Sequence, residues 1–183
     1  WGENNVVTSG FTGIRNLVQS NLFGDHYSSN LGLYSQYERS FNKLDLTGGI
    51  RFEYFEQDGK QGDSQFYFGN DASAASMPIY PILRAGAHYE IKKYTHLRAS
   101  FGQGIRYPSV AERYTTTNVG ALNVFASPNL TREKGWAAEI GLKQGVRIGS
   151  KWKGMIDIAA FVNEYNDMME FTFGIFNPEN SER

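Results

Sequence analysis

The chain has 183 residues, 40% of them hydrophobic and 15% aromatic, with a formal net charge of -1. That balance gives no bulk attraction to nucleic acid or acidic lipid, and the lack of cysteine excludes a disulfide framework and any thiolate metal site. No apolar run reaches the roughly 18 residues of a membrane helix, a test that leaves alternating barrel strands untouched.

Residues 1–30 are polar and contain several Gly, Asn and Ser, which predicts mostly loop. From Leu31 to Ser40 the chain alternates, with Leu33, Ser35 and Tyr37 opposing Tyr34, Gln36 and Glu38. A tight turn at Phe41-Asn42-Lys43 follows. Leu44, Leu46, Gly48, Ile50, Phe52 and Tyr54 then share one parity, and Asp45, Thr47, Gly49, Arg51 and Glu53 the other. Glu56 to about Met77 is rich in Gly, Asp, Gln and Ser and reads as a long loop.

Leu83, Ala85, Ala87, Tyr89 and Ile91 oppose Arg84, Gly86, His88 and Glu90, and a turn at Lys92-Lys93-Tyr94 comes next. In Thr95 to Arg106, Leu97, Ala99, Phe101 and Ile105 oppose Arg98, Ser100, Gly102, Gly104 and Arg106, with Gln103 out of pattern. Pro108 lacks a ladder donor and ends the pairing. The loop that follows is predicted to run from Tyr107 to Lys134. Trp136, Ala138, Ile140 and Leu142 oppose Glu139, Gly141 and Lys143, before a turn at Ile148-Gly149-Ser150. Trp152, Gly154, Ile156, Ile158, Ala160 and Val162 oppose Lys151, Lys153, Asp157 and Asn163, though Phe161 breaks the polar parity. Met168 to Phe176 predicts one more strand.

Two regularities set the expected architecture. The alternating segments run to about ten residues or more, where strands of soluble domains average nearer five or six. Connections are short and long in turn, the rhythm of tight periplasmic turns and long outer loops. Both predict an all-β fold: an antiparallel up-and-down transmembrane β-barrel, here a partial wall of about six or seven strands. Charge placement agrees, because Arg51, Glu53, Arg84, Glu90, Arg98, Arg106, Glu139, Lys153 and Asp157 all fall on the non-apolar parity. Arg39 and Glu164 depart from it but sit at strand ends, where they can snorkel. Tyr54, Tyr89, Tyr107, Trp136 and Trp152 are placed as interfacial girdle aromatics.

The residues offer little to a catalytic reading. Gly102-Gln103-Gly104 lacks the strand-to-helix context of a phosphate loop and reads as small lumen-facing residues. His26, His88 and His96 lack metal-ligand spacing, and no paired acid stands out at a strand tip as an outer-membrane protease using Asp and His would require.

Several segments resemble the barrel of TonB-dependent outer-membrane receptors. They are Arg98 to Ser109, with its Ile105-Arg106-Tyr107-Pro108 strand end; Glu112; Pro128-Asn129-Leu130-Thr131-Arg132-Glu133; and Glu139-Ile140-Gly141. Phe161-Val162-Asn163-Glu164-Tyr165-Asn166-Asp167-Met168 and Gly48-Gly49-Ile50-Arg51-Phe52-Glu53 are similar to further family segments. The Asn-Pro-Asn-Leu-Lys-Pro-Glu loop motif is degenerate here, with Ser127 for its first Asn and Thr131-Arg132 for Lys-Pro.

The resemblance covers about Leu31 to Phe173 and implies that residues 1–183 are an internal part of a receptor barrel, without the plug domain or TonB box. It implies a receptor in the Gram-negative outer membrane, surrounded by lipid and working with its own plug and with TonB. Such a receptor imports a scarce small-molecule or metal-complex nutrient: an iron–siderophore, haem, cobalamin or a glycan. No cofactor, resident metal, nucleic-acid partner or enzymatic activity is expected. Lumen- or plug-facing positions would be Arg51, Glu53, Arg84, Glu90, Arg98 and Glu139. Ligand contacts are expected in the long loops and adjoining strand tips, at Tyr67, Phe68, Arg106, Glu112, Arg113, Tyr114 and Phe125. The competing expectation is a soluble or surface β-rich binding domain such as an adhesin module.

Overall fold

The computed structural model describes residues 4–59, 75–120, 122–127, 129–149 and 151–170. Seven long strands form one antiparallel sheet: β1 (Asn5–Val18), β2 (His26–Phe41), β3 (Leu44–Gln57), β4 (Ala75–Lys92), β5 (Thr95–Arg106), β8 (Glu133–Ile148) and β9 (Trp152–Asn166). Between β5 and β8 lie a short helix, α1 (Val110–Tyr114), and a small hairpin of β6 (Thr117–Val119) and β7 (Leu122–Val124). The long strands pair in chain order, β1-β2-β3-β4-β5-β8-β9, so the sheet is an up-and-down meander. They run from 12 to 18 residues, beyond the 9–11 that a tilted strand needs to cross a bilayer.

Alternating connections fall at opposite ends. The connections β2–β3, β4–β5 and β8–β9 close one end tightly, while β1–β2, β3–β4 and β5–β8 are joined from the other. Asn42 and Tyr94 take positive φ (50° and 73°) in the two-residue turns. Tyr94 is the unusual one, since a bulky residue rarely adopts that region; its carbonyl is held by the Gly145 N–H at 2.7 Å.

The parity read from the sequence is the division of the sheet into two faces. Phe11, Leu31, Leu33, Leu83, Ile140, Leu142, Ile156 and Ile158 share the apolar face and are exposed, Phe11 to 85% and Ile158 to 67%. The opposite face, here called inner, carries Arg51, Glu53, Arg84, Arg98, Glu139 and Asp157. An exposed apolar face of this extent is unsuited to water and suited to lipid. The two exceptions noted in the sequence are accommodated at strand ends, where Arg15, Glu56 and Lys134 also fall on the apolar parity. Arg39 lies 4.2 Å over the Phe41 ring, and Glu164 accepts a 3.1 Å hydrogen bond from the indole N–H of Trp136.

Four expectations change. Residues 5–18 and 26–30 are strand and not loop: Asn5 to Val18 pairs with β2 along its whole length. Their small inner residues hid the alternation. The Tyr34 ring crosses Gly10 so closely that a Cβ there would sit 2.5 Å from the Tyr34 hydroxyl, so the missing side chain is a fitting requirement. Tyr107 is not a girdle aromatic; the chain turns inward at Pro108, and Tyr107 stacks on Phe55 of the inner face (4.4 Å, 7°). The 107–134 loop contains a helix and a hairpin, and β8 begins at Glu133. Residues 168–170 form no strand, and 171–176 lie outside the described residues.

Face segregation gives a direct test. Within the whole barrel, Ile158→Arg on the apolar face is expected to cost about 2–4 kcal/mol if it lies at the midplane, whereas Asn163→Arg on the inner face costs far less. Reversible folding into lipid vesicles measures both; equal losses would contradict the assignment of faces.

Candidate functional site

The inner face first accounts for its own charges. Arg51 pairs with Glu53 and donates to the Thr12 hydroxyl at 2.9 Å. Arg98 bridges strands, reaching Glu139 at 3.0 Å and Asp157 at 2.7 Å. It lies across Gly141, where a Cβ would meet its guanidinium carbon at 2.7 Å. A glycine opposite each bridging arginine, Gly141 for Arg98 and Gly32 for Arg51, lets the guanidinium lie flat along the wall. Arg84 and Glu90 occupy the same face with no ion-pair partner among the described residues.

At the long-connection end the wall is covered. β5 ends at Arg106, and Tyr107-Pro108 redirects the chain into α1. Ser109 caps this helix: its hydroxyl accepts from the Glu112 N–H at 3.2 Å, and the Glu112 carboxylate accepts from the Ser109 N–H at 2.8 Å. That reciprocal box is written in the sequence as Ser109-x-x-Glu112, a start signal that could have revealed the helix. Val110, Arg113 and Tyr114 of α1 are buried, as are Phe55, Gln57, Asp58, Met77 and Ile82 of the wall and its tips. The chain's buried core therefore sits at this rim, under the folded loop.

Among the residues expected to touch ligand, four fall in or beside α1. Arg106 is saturated by two carboxylates: its Nε and Nη2 donate to Glu133 (2.6 and 2.8 Å) and its Nη1 to Glu112 (2.8 and 3.0 Å). It thereby ties β5 to β8 and to α1. Burial raises the Glu112 pKa, but the Ser109 N–H, the Arg106 guanidinium and the Ser109 hydroxyl outweigh it and hold the carboxyl below its ordinary value. Arg113 is 2% exposed and donates to the Gln57 side-chain oxygen (3.2 Å) and the Leu130 carbonyl (2.8 Å). Desolvation pulls its pKa down. Tyr114 is fully buried, stacks on His26 at 4.2 Å and donates to the Asp58 carbonyl at 2.6 Å.

Arg113 and Tyr114 thus point into the wall and anchor the loop. Phe125 is half-buried beyond the hairpin, and Tyr67 and Phe68 lie outside the described residues.

Sequence reading missed His26, Gln57, Asp58 and Glu133, each a partner of a residue it had named. Glu133 closes the loop segment that carries the family resemblance, but nothing local marks the other three, because their partners are distant in the chain. Next to them, Arg132 lies 4.7 Å over the Tyr80 ring and donates to the Pro78 carbonyl at 2.9 Å. Gln57 Nε2, the Tyr107 hydroxyl, Arg113 Nε and Arg132 Nε are buried with no hydrogen-bond partner among the described residues. Burial pushes the Tyr107 hydroxyl up, so it remains a donor at neutral pH. The rim presents positioned donors and aromatic rings; among the described residues no cluster of His, Cys, Asp or Glu is suited to hold a metal ion.

Two predictions follow from this anchoring. Tyr114→Phe removes one buried hydrogen bond and should lower the protection of residues 107–120 against hydrogen exchange by about 0.5–1.5 kcal/mol, with the wall strands unchanged. Glu112, with its pKa depressed in the folded loop, supports the loop fully above the ordinary glutamate value of about 4.3. That support is lost as pH falls through the lower folded value. Exchange in acid should therefore rise at 107–120, and Glu112→Gln should flatten the dependence.

Comparison with known proteins supplies the family. The family model described as TonB dependent receptor-like, beta-barrel, matches residues 1–181. Among curated proteins none matches by sequence. A double mutant of the Serratia marcescens hemophore receptor HasR, solved with its hemophore HasA and heme, superposes with a TM-score of 0.69 at 13% identity, over 88% of this chain and 30% of that one. The copper transporter OprC superposes with a TM-score of 0.67 at 15% identity, over 91% of this chain and 28% of that one. The chain spans about a third of the length of these structures or less, and at such identity they show the fold alone. With its sheet, its two faces and a match along nearly its whole length, the chain belongs to the TonB-dependent receptor-like β-barrel family.

Proposed function

We propose that this chain forms part of the wall and outer rim of a Gram-negative outer-membrane receptor that binds a scarce nutrient outside the cell and imports it with energy delivered by TonB. The observation that carries the reading is the segregated wall. Its apolar face carries exposed large hydrophobic side chains on six of the seven strands, all but β5, and the bridging arginines lie on the other face within ion pairs. A soluble adhesin module would have to cover that apolar face with its own chain. Family membership supports transport over catalysis.

In the whole receptor, the inner-face residues Arg51, Glu53, Arg84, Glu90, Arg98 and Glu139 face the lumen and the plug domain. Arg84 and Glu90, lacking partners on the wall, are the pair most available to the plug. Ligand selectivity lies at the long-connection end, where Phe125 and the Arg106–Glu112 pair edge the rim and Arg113 and Tyr114 act by holding the loop; Tyr67 and Phe68, outside the described residues, are further candidates by sequence. Aromatic rings with guanidinium groups suit an iron–siderophore, haem, cobalamin or a glycan.

Disruption of the full-length gene should abolish uptake or growth on one of these nutrients, and its protein should fractionate with outer membranes. A product that is soluble without detergent would overturn the receptor reading. Loss of none of these uptakes, copper included, would overturn the ligand set.

A further inference from the structure

The net charge of -1 conceals an uneven distribution along the strands. Within three residues of the three tight turns stand seven Lys or Arg and two acids, Asp45 and Glu90. The β2–β3 turn carries Arg39 and Lys43, and the β4–β5 turn carries Lys92 and Lys93. The β8–β9 turn carries Arg147, Lys151 and Lys153. All seven are exposed, and none makes an ion pair among the described residues. Pairing in β8–β9 sets Arg147 directly opposite Lys153, a like-charge pair that repels unless an anion joins it. At the long-connection end the cations are matched: Arg106 by Glu112 and Glu133, and Lys134 by Asp167.

Apolar side chains lie at the same level as the unmatched charges. Phe41, Ile148 and Trp152 stand at the ends of the apolar face, Ile148 72% and Trp152 76% exposed. Arg39 lies 4.2 Å over the Phe41 ring, and Lys93 Nζ lies 5.4 Å over the Tyr94 ring. Cations interleaved with rings at the border of a lipid-facing surface match a phospholipid headgroup layer, where rings sit among the glycerol esters and amines reach the phosphates. An acidic soluble protein would account for the charge but not for apolar side chains continuous with the lipid-facing surface.

We propose that the tight-turn end is an interaction surface for anionic phospholipid, of the phosphatidylglycerol class, in the periplasmic leaflet. The choice of leaflet rests on the receptor function proposed above, in which tight turns face the periplasm. Each Lys or Arg near an anionic lipid surface strengthens partitioning about fivefold. A zwitterionic headgroup brings its own ammonium, which competes with the lysines for the phosphate and lowers the attraction. The surface thus gathers anionic lipid around this part of the wall.

The test uses the full-length receptor in a nonionic detergent, given equal amounts of phosphatidylglycerol and phosphatidylethanolamine, with bound lipid counted by native mass spectrometry. Phosphatidylglycerol should be retained about fivefold or more over phosphatidylethanolamine. That preference should shrink as salt rises from about 0.05 to 0.5 M, a readout that needs no substitution. In Lys92→Gln/Lys93→Gln/Lys151→Gln/Lys153→Gln it should fall to near parity, while Lys134→Gln at the other end keeps it. Heat-shifted electrophoretic mobility checks that each variant is folded. Equal retention of the two lipids by the native receptor overturns the proposal, as does a folded quadruple variant that keeps the preference. Soluble polyglutamate bound as tightly as phosphatidylglycerol would assign the surface to an acidic protein and overturn it too. A protein that fractionates with outer membranes yet shows no lipid preference leaves the receptor function standing and removes this surface alone.

Discussion

A bilayer offers neither water for a stray charge nor a partner for an unpaired backbone group, and this constraint governs every part of the chain. Each interior strand of the meander is paired on both sides. Away from the strand ends charge keeps to one parity; the departures, among them Arg15, Arg39, Glu56, Lys134 and Glu164, lie near strand ends, Arg39 and Glu164 against aromatic neighbours. The same constraint explains why the buried core is not at mid-height. There the apolar residues need only lipid, so they remain exposed in the chain itself, and close packing is left to the rim where the wall meets water.

Two electrostatic arrangements divide the work along the inner face. At mid-wall, Arg51 and Arg98 lie flat across glycines and are neutralised by neighbouring carboxylates, which makes the surface smooth and locally balanced. At the rim, Arg106 and the His26–Asp58 pair join elements far apart in the chain: β5 to β8 and α1, and β2 to the end of β3 and α1. The first arrangement rigidifies a wall; the second ties down a loop. Both recruit the long, donor-rich side chains that a sequence search for ligand contacts would select first. Arg113 and Tyr114 show the consequence: chemistry suited to a ligand is used to hold the loop.

The sequence by itself determined the positions of the long strands between Leu31 and Asn166, the parity that separates lipid-facing from inner side chains, the rhythm of short and long connections, and thereby the barrel class. These are period-two and local properties, and a charge misplaced in lipid is costly enough to keep them clean. It did not reveal β1, because inner positions such as Gly10 are small for a reason lying on another strand, the ring of Tyr34. It did not reveal the rim. Which way Tyr107 turns, which carboxylates saturate Arg106, and that His26 meets Asp58 and Tyr114 depend on contacts between residues tens of positions apart. Only tertiary structure decides those pairings, since a side chain's chemistry states what it can bond and folding alone determines what it reaches.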